Sequence, residues 1–532
     1  MKLERFYIGD YRVLENLDLD FQRLEERPSF LGEVDPKYAL DFLVGVNGTG
    51  KSTVLRLLGR LFGLLHWRDF NYEFPVTVEL AYTLQTQTNE PLKIIISNKL
   101  EEEAGDRHHG GRLRFKAFNP EEQDATDVTW IGEGSIRADW LPKVVIYTTG
   151  SETEWDAILN DDATRAPSLA PPLAERDEDE LYLHELPGHQ PDMDLLEESE
   201  ADGDEEPDNY LFIRKDRLPL VALCGLLAAQ WAEGQANTLN SVFESVGLSQ
   251  FSGFSLRVRV HQHLTPPRQK DAVDLISTAA TRIVRQGADQ LLVFDMAQRP
   301  LLRSGTREPV YSSPIELFQR LYDLYEHRPY YDPPLQEVNI FLRRQMNDQA
   351  RTEDNQPMLH LFDWLSDGEQ SFLGRMALFS LFREDNLLIL LDEPEVHFND
   401  VWKREVVNML DTIMQNRSSH ALITTHSSIA LTDVPPDDIL VMQYENGRDL
   451  VAKRPRLKTF GADPGDIMVH VFGAPQATGA RSVRDIRALL RQVNQSEDEI
   501  ERRRLRLQNA LRDVAPGYWS YRIRRELMRL AQ

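Results

Sequence analysis

Hydrophobic residues in the first 150 positions follow a strand-rich pattern that is interrupted by one helix. Residues 1–10 and 12–21 carry apolar side chains at alternate positions, as expected for short strands with one buried face. Residues 41–65 begin as an apolar run, pass a glycine-rich turn and continue with the spacing of an amphipathic helix. Residues 76–84 and 143–149 add further strands. The first part of the chain is therefore predicted to be a mixed α/β region.

The second half of the chain alternates between helices and strands again. Residues 365–430 contain a helix start, a helix, a buried strand, a second helix and another strand. Residues 275–296 have the pattern of a helix, a turn and a strand, and the last 50 residues are mostly helical. These features predict a second α/β region that follows a large mixed insertion.

The composition is typical of a globular chain with several domains. The 532 residues are 41% hydrophobic, which at ~150 residues per domain indicates two to four domains. The single cysteine, Cys224, excludes an intramolecular disulfide and lies in an apolar run where a buried thiol is expected. That run is too short to span a bilayer, and residues 1–10 contain no apolar leader segment. We expect a cytoplasmic setting with no membrane partner.

Acidic and basic residues are distributed very unevenly along the chain. The formal net charge is −26, and residues 151–210 alone contain 21 acids against two arginines, which predicts a disordered acidic loop. Residues 481–532 have the opposite bias, with 13 arginines against seven acids. The arginines on one face of a predicted helix there are Arg481, Arg484, Arg487 and Arg491. They indicate a site for nucleic acid or an acidic partner, unless they are simply a solvated helix face.

Residues 45–52, with the sequence GVNGTGKS, fit the pattern G-x-x-x-x-G-K-S/T and connect an apolar strand to an amphipathic helix. Glycines in such a loop let several backbone N–H groups point at phosphate oxygens, and the helix N-terminus adds positive potential. Lys51 would place its ammonium against the β- and γ-phosphates, and Ser52 would offer its hydroxyl oxygen to Mg²⁺. The motif therefore predicts a site for a nucleoside triphosphate.

Residues 386–394, with the sequence NLLILLDEP, form an apolar strand that ends in two acids. Ligands bind at the carboxyl ends of strands in parallel sheets. We expect Asp392 to hold the Mg²⁺ shell and Glu393 to orient or deprotonate the attacking water. On its own the segment would also fit an ordinary strand with a solvated acidic end, but its combination with the phosphate motif favours the catalytic role.

A third motif, LSDGEQ at residues 365–370, leads directly into a helix and ends 22 residues before Asp392. Ser366, Gly368 and the helix N-terminus that follows would form a second anion-binding end. A serine that merely caps the helix would explain the segment alone. The order and spacing of the motifs favour the anion-binding role.

A fourth motif, ALITTHS at residues 421–427, places a histidine after an apolar strand. His426 lies 33 residues beyond Glu393 and would be able to hydrogen bond a γ-phosphate. A single histidine after a strand is more often structural, so its role depends on the three preceding motifs. Their order favours a contact with nucleotide.

In this order the motifs GxNGxGKS, LSDGEQ, LLDEPE and TTHS resemble the ABC-type ATPase heads of the SMC, RecF and OLD (overcoming-lysogenization-defect) families. The resemblance covers residues 1–150 and 356–435. It implies a two-lobe α/β ABC-type P-loop ATPase head with an antiparallel β-subdomain, a large mixed α/β insertion and a helical C-terminal tail. It also implies hydrolysis of ATP with Mg²⁺ by two heads that close head-to-tail. Ser366 and Gly368 would then act in trans, in the partner's site.

The resemblance assigns roles to individual residues. The catalytic residues would be Lys51, Glu393 and His426, and the metal ligands would be Ser52 and Asp392. The nucleotide-binding residues would be Gly45, Asn47, Gly48, Thr49, Gly50, Lys51, Ser52, Thr53, Ser366 and Gly368. A glutamine that contacts Mg²⁺ is also expected after the first motif, and both Gln85 and Gln87 are candidates.

Five segments follow from these patterns. They are lobe I with the P-loop (1–150), an acidic low-complexity loop (151–210), a mixed and mainly helical insertion (211–355), lobe II with the signature, acidic strand and histidine (356–435), and a C-terminal strand with an arginine-rich helical tail (436–532). The prolines and mixed elements of the insertion exclude the long coiled coil of SMC proteins. Residues 435–532 contain no DxD cluster, so the nuclease domain of OLD proteins is not expected in this chain.

Residues 141–155 and 459–473 are similar to segments in ATPases of prokaryotic anti-phage defence systems, such as the Septu and retron-associated ATPases. In such systems the ATPase regulates a separate HNH-type nuclease. We therefore expect a cytoplasmic Mg²⁺-dependent ATPase, a homo-oligomer built from head-to-tail dimers, that regulates an effector nuclease and contacts nucleic acid. A RecF- or SMC-like DNA repair ATPase and an assembly scaffold with structural ATP are open alternatives.

Overall fold

The chain divides into two units, Met1–Gly461 and Ala462–Gln532. The computed structural model describes residues 1–21, 38–67, 74–86, 88, 90–99, 112–122, 124–125, 127–132, 135–150, 155, 209–231, 242–261, 265–296, 311, 314–325, 333–344, 359–382, 384–414, 417–445, 449–496 and 498–531. Most of the predicted acidic loop, and Gln87, lie outside the described residues.

A seven-stranded sheet in the first unit joins strands from distant parts of the chain. Its strands are β3 (Ala39–Gly45), β8 (Lys143–Thr148), β9 (Tyr210–Ile213), β15 (Leu387–Asp392), β16 (Ser419–Thr424), β17 (Ile439–Glu445) and β18 (Asp449–Lys453). Their order is β18-β17-β3-β16-β15-β8-β9, and all neighbours are parallel except β18 and β17. Every residue of β3, β15 and β16 is buried, as expected for strands covered on both faces. The carboxyl ends of β3, β16, β15 and β8 therefore meet at one edge.

A six-stranded antiparallel sheet covers one side of this arrangement. Its strands are β1 (Lys2–Ile8), β2 (Leu17–Asp20), β4 (Val78–Gln85), β5 (Pro91–Ser97), β6 (Arg114–Phe118) and β7 (Ile131–Gly132). Helix α1 (Lys51–Trp67) is buried on nearly all sides, because side chains of both sheets join its own in one hydrophobic core. The antiparallel β-subdomain that the sequence predicts is thus present.

The insertion contains a third sheet as well as helices. Its strands are β10 (Leu248–Arg259), β11 (Arg282–Gln286), β12 (Asp289–Asp295), β13 (Leu335–Arg344) and β14 (Leu359–Leu361), in the order β11-β12-β10-β13-β14. The helices of this region and of lobe II are α2 (Leu218–Trp231), α3 (Pro267–Ala279), α4 (Pro314–Tyr325), α5 (Asp367–Leu381) and α6 (Asp400–Met414). The sequence predicts a mainly helical insertion, but long antiparallel pairing of β10 with β12 and β13 makes it equally a β structure.

Helix α5, which carries the LSDGEQ motif at its start, packs closely on α2. A Cβ at Gly225 of α2 would lie 2.1 Å from the carbonyl oxygen of Ala377, so only a glycine allows this approach. In return, a Cβ at Gly374 of α5 would collide with Leu218. The neighbouring Cys224 is fully buried, which confirms the predicted buried thiol. The signature helix is thereby anchored to the insertion.

The second unit is helical. It contains α7 (Pro464–His470), α8 (Ala480–Gln495), α9 (Ile500–Asp513) and α10 (Tyr518–Arg529). Val493, Leu507 and Ile523, one from each of the three longer helices, form its small core. Strands β17 and β18, which the sequence places with this tail, belong instead to the large sheet, because β17 pairs with β3.

These elements confirm the predicted fold class, a two-lobe α/β head with an antiparallel β-subdomain, a mixed insertion and a helical tail. Among the described helices, none combines the length and the apolar character that a membrane crossing requires.

Candidate nucleotide-binding site

The loop between β3 and α1 turns tightly. Gly48 and Gly50 have φ values of +86° and +89°, which residues with a Cβ rarely adopt. A Cβ on Gly50 would also approach the Leu14 side chain to 2.6 Å. Leu14 closes a short turn with Tyr11 through two backbone hydrogen bonds, and this N-terminal turn supports the loop. Arg12, exposed within that turn, is thereby placed beside the loop.

Lys51 and Thr49 are the buried side chains of this loop. The Lys51 ammonium donates hydrogen bonds to the carbonyl oxygens of Gly45 at 3.0 Å and Val46 at 3.4 Å, and the lysine is 5% exposed. The Thr49 hydroxyl donates to the Val46 carbonyl at 2.9 Å. Burial lowers the pKa of Lys51, while the two acids at the end of β15 act in the opposite direction. The predicted phosphate-binding cation thus lies next to the predicted catalytic acids.

Asp392 is the centre of a hydroxyl network at the end of β15. It is 3% exposed, and its Oδ1 accepts hydrogen bonds from Ser52 Oγ at 2.8 Å and from Thr424 Oγ1 at 2.7 Å. Its Oδ2 accepts from Thr148 Oγ1 at 3.3 Å. Three neighbouring strands and α1 therefore converge on one carboxylate, and the two residues predicted as metal ligands are in direct contact.

The donor set at Asp392 suits Mg²⁺, which prefers carboxylate, hydroxyl and phosphate oxygens. Ser52 and Asp392 would hold the ion, and the metal would neutralise phosphate charge there. Within the described residues no cluster of three or more His, Cys, Asp or Glu side chains offers a separate metal site. Asn47 and Gly48 are exposed, and Thr53 is half-buried in the first turn of α1, so the loop is open to an approaching phosphate.

Glu393 and His426 form the second part of the site. The Glu393 backbone has φ of +51°. The Glu393 N–H donates to two oxygens of Thr424, the carbonyl oxygen at 3.2 Å and Oγ1 at 3.0 Å. His426 Nε2 lies 2.7 Å from Glu393 Oε1. The hydrogen bond from His426 lowers the pKa of Glu393, so this carboxylate stays ionised and able to accept a proton from water.

Glu395 is a buried carboxylate that positions the backbone of His426. It is 6% exposed and accepts hydrogen bonds from the backbone N–H of His426 at 3.1 Å and from the Thr425 hydroxyl. Burial raises the pKa of Glu395. Sequence reasoning missed this residue, and the signal for it was a second acid only two positions after Glu393.

Arg375 connects the signature helix to the turn that follows Asp392. It is 1% exposed, and its Nη1 donates to the carbonyl oxygens of Pro394 and, at 2.7 Å, Val396. Its Nε donates to the Tyr147 hydroxyl at 3.2 Å, and the guanidinium lies 4.9 Å from the Phe398 ring centroid. The buried cation therefore fixes the backbone on both sides of Glu395. Nothing in the sequence pattern singled it out.

The start of the signature helix forms its own cap and lies against the turn that follows Asp392. Ser366 caps α5 in a reciprocal pair with Glu369, whose carboxylate accepts from the Ser366 N–H at 2.8 Å. A Cβ at Gly368 would meet the His397 carbonyl oxygen at 3.0 Å. The adjacent Trp364 is 66% exposed. In the described residues none of these contacts involves the P-loop.

One sequence expectation differs from the structure at the edge of the site. Gln85, a candidate for the glutamine at Mg²⁺, exchanges backbone hydrogen bonds with the Asn386 side chain. Asn386 precedes β15, so Gln85 lies at the opposite end of that strand from Asp392. Thr149 occupies the position beside the acids instead, and its hydroxyl donates to the Glu393 carbonyl at 3.1 Å. The signal for it was a polar Thr-Thr-Gly after an apolar strand.

Comparison with known proteins gives a partial family match. Residues 297–433 match the family model described as "AAA domain, putative AbiEii toxin, Type IV TA system". The chain is 30% identical to protein ea59 of Escherichia phage lambda over 118 residues, which are 20% of this chain and 22% of ea59. The chain thus spans well under two thirds of this relative.

Solved structures of SMC heads superpose only loosely. The SMC head domain from Thermotoga maritima matches at 10% identity and a TM-score of 0.32, over 86% of this chain and all of that one. The SMC head bound to the C-winged helix domain of ScpA matches at 11% identity and a TM-score of 0.29, over 85% and 98% of the two chains. The fold is defined by the strand order of the sheets and the parallel pairing around β3.

The family match and the geometry agree on the coarse chemistry. The matched residues 297–433 contain the signature, the acidic strand and the histidine, and the structure brings the last two to the P-loop. Together they agree with a P-loop site that binds the phosphates of a nucleotide.

Proposed function

We propose that the chain is an Mg²⁺-dependent ATPase whose heads close in pairs on ATP, and that closure regulates a separate effector nuclease in prokaryotic anti-phage defence. The observation that carries the proposal is the outward position of the signature helix end. Ser366 is exposed and pairs with Glu369 of its own helix. The P-loop contacts Asp392 through Ser52 and makes no such contact with Ser366 in the described residues. A second copy would bring such an end to the γ-phosphate.

The chemistry of closure follows from charge. The P-loop side supplies Lys51 and loop N–H groups, and the N-terminus of α5 supplies further N–H groups. Only a triphosphate has a γ-phosphate that extends far enough to contact both the P-loop and the N-terminus of α5. The apolar side chain of Trp364, two residues before Ser366, is 66% exposed, and its burial on closure would add to the free energy of association.

The defence role is supported by the family description, which names a toxin of a type IV toxin–antitoxin system. A RecF- or SMC-like repair ATPase would use the same site. The gene neighbourhood separates the two, because an adjacent HNH-type nuclease or reverse transcriptase indicates defence and replication genes indicate repair. If a nuclease is adjacent, the two proteins are expressed together and DNA cleavage is measured with wild-type chain and with Glu393→Gln.

Glu393→Gln should retain ATP binding, hydrolyse poorly and accumulate as a closed dimer, since the amide cannot act as a base while Asp392 still holds Mg²⁺. Light scattering with ATP measures the dimer, and steady-state phosphate release measures hydrolysis. Glu384→Gln is the matched control, because Glu384 is exposed and pairs with Lys143. Full hydrolysis by Glu393→Gln would remove the assigned role.

Mixing two inactive variants tests the shared site. Ser366→Arg blocks the signature surface by bulk, and Lys51→Ala removes the phosphate cation. A mixed dimer has one site with neither defect and one site with both. Partial recovery of hydrolysis in the mixture supports sharing in trans. Normal hydrolysis by Ser366→Arg alone at low protein concentration contradicts it, because each head would then work by itself.

A further inference from the structure

The second unit, residues 462–532, presents an outer surface that its own core does not explain. Val493, Leu507 and Ile523 form the core, and Leu527 of α10 and Leu530, directly after it, pack against it. The opposite side of α10 carries Tyr518, Tyr521, Arg525 and Met528 at helical spacing. A helix stabilised by its core face has no structural need for aromatic residues on its solvent face.

The two tyrosines on this side are unusually open. Tyr518 and Tyr521 are each 60% exposed, and Met528 is 68% exposed. Arg522 and Arg525 follow them one turn further along the helix. The Arg522 guanidinium lies 5.8 Å from the Tyr518 ring centroid and donates to its hydroxyl at 3.1 Å. Aromatic rings and cations are therefore neighbours on this surface.

Helix α8 extends this surface. The Arg487 guanidinium lies 5.7 Å from the ring centroid of Trp519, in the first turn of α10. Arg487, Tyr518, Tyr521, Arg522 and Arg525 together define the arginine–tyrosine face. In the described part of the unit, ion pairs with carboxylates are made by Arg481, Arg484, Arg506 and Arg529. The three arginines of the face are not among them, and two of these, Arg487 and Arg525, are exposed to solvent.

We propose that the arginine–tyrosine face binds single-stranded nucleic acid, with arginines on the phosphates and tyrosine rings stacked on bases. Every base presents a π-face, so aromatic side chains beside cations form a sequence-tolerant platform for unpaired strands. A duplex keeps its bases stacked inside and would use only the arginines. A second copy of this face would set arginine against arginine. This inference goes beyond the proposed ATPase and does not depend on it.

The first test measures stacking. Full-length protein without nucleotide is titrated into a fluorescein-labelled oligothymidylate of about 20 nucleotides, which exceeds the usual site size of one module. Tyr518→Ala and Tyr521→Ala should each weaken binding on the order of tenfold. Tyr444→Ala is the matched control, because Tyr444 is 50% exposed on β17 in the other unit. It should leave the affinity unchanged.

The second test measures charge. Arg525→Gln should reduce the slope of log affinity against log salt by about 0.7, the value for one phosphate contact on a single strand. Tyr518→Ala should leave the slope unchanged, because stacking releases no counterions. Arg506→Gln removes the same charge from the same unit, but Arg506 already pairs with Asp498 at 3.2 Å, so its slope should change less.

Three outcomes overturn the proposal. One is absence of oligothymidylate binding at low salt by the full-length chain. Another is equal loss of affinity in the Tyr444→Ala control and the Tyr518→Ala variant. The third is binding of duplex DNA or of anionic phosphatidylserine vesicles with the same affinity and the same sensitivity to Tyr518→Ala. ATP hydrolysis by each variant is measured in parallel, so a failure of the ATPase assignment is recognised separately.

Discussion

The nucleotide site and the arginine–tyrosine face are both suited to anions, but they are built in opposite ways. The site uses one buried lysine, loop N–H groups and hydroxyls that converge at strand ends, and Lys51 is 5% exposed. The face uses several exposed guanidinium groups on helices. The positions of the polar groups are therefore fixed in the nucleotide site, whereas the side chains of the arginine–tyrosine face are able to adapt.

This difference teaches where single residues matter. In the site each group has fixed partners, so the loss of one leaves buried polar atoms without hydrogen bonds. The face has three arginines, of which Arg487 and Arg525 are exposed, so the loss of one leaves the charge of the other two in place. The expected effects of substitution therefore fall steeply from the first region to the second.

The largest effect is expected for Lys51→Ala. Hydrolysis should fall on the order of 10²–10³-fold and ATP binding should weaken, because a preorganised cation at the phosphates is removed. Arg525→Ala, an exposed position on α10, is the control from the arginine–tyrosine face and should hydrolyse ATP within about twofold of wild type. Nucleotide titration and phosphate release measure both variants. Comparable losses in the two would remove the contrast.

Arg375→Met tests whether the loss of a buried arginine with fixed partners has a large effect on stability, as expected for the nucleotide site. The substitution leaves the carbonyl oxygens of Pro394 and Val396 without a donor and should lower the free energy of unfolding by about 2–4 kcal/mol. Urea unfolding followed by tryptophan fluorescence measures this. Arg137→Met is the control, because Arg137 is exposed and pairs with Asp139. A stability within about 0.5 kcal/mol of wild type would contradict the buried role.

His426→Gln tests the electrostatic coupling inside the site. The hydrogen bond from His426 lowers the pKa of Glu393 in the folded protein. The ionised carboxylate therefore stabilises the fold at pH values above the pKa that Glu393 has in the unfolded chain. This stabilisation is lost as the pH falls through the pKa of Glu393 in the folded protein. Without the imidazole, the acid limb of the hydrolysis profile should move to higher pH. Steady-state rates across acidic to neutral pH measure the shift. An unmoved limb would show that another group sets it.

The smallest effect is expected for deletion of residues 160–208. This acidic segment has too few apolar residues to offset the entropy of ordering, so the melting temperature should be nearly unchanged. Removal of its negative charge should strengthen salt-sensitive binding of oligothymidylate. Asn209 is retained because its carbonyl oxygen accepts a hydrogen bond from the Val144 N–H. A deletion protein that fails to fold would make the segment a structural part of the insertion.

The part of the candidate site that contains the predicted catalytic residues could be predicted because their positions depend on strand ends. Lys51, Asp392 and His426 follow or flank apolar strands, and parallel strands bring their carboxyl ends to one edge. Arg375 was not predictable, because its partners are backbone carbonyls that no sequence pattern reports. Gln85 was misplaced because β4 belongs to the antiparallel sheet, so its end does not reach that edge.

The strands of the insertion were also hard to predict, because their partners in the sheet are not visible in the local sequence. The strand β11 is exposed at every position, so it shows no alternation of apolar and polar residues. Pairing with β12 across a turn that includes Gly287, with φ of +63°, makes it a strand. The pairing with β12, and not an alternation of apolar and polar residues, therefore defines this strand.

The neighbours of β3 in the large sheet have a consequence for synthesis of the protein. This strand leads into the P-loop and is flanked by β16 and β17, which begin at residues 419 and 439. At roughly 5–20 residues per second, a ribosome needs about 20–80 s after completing β3 to supply either neighbour. The emerging P-loop strand has to wait for that time with both of its edges open, which makes it a natural client for chaperones that bind extended apolar segments.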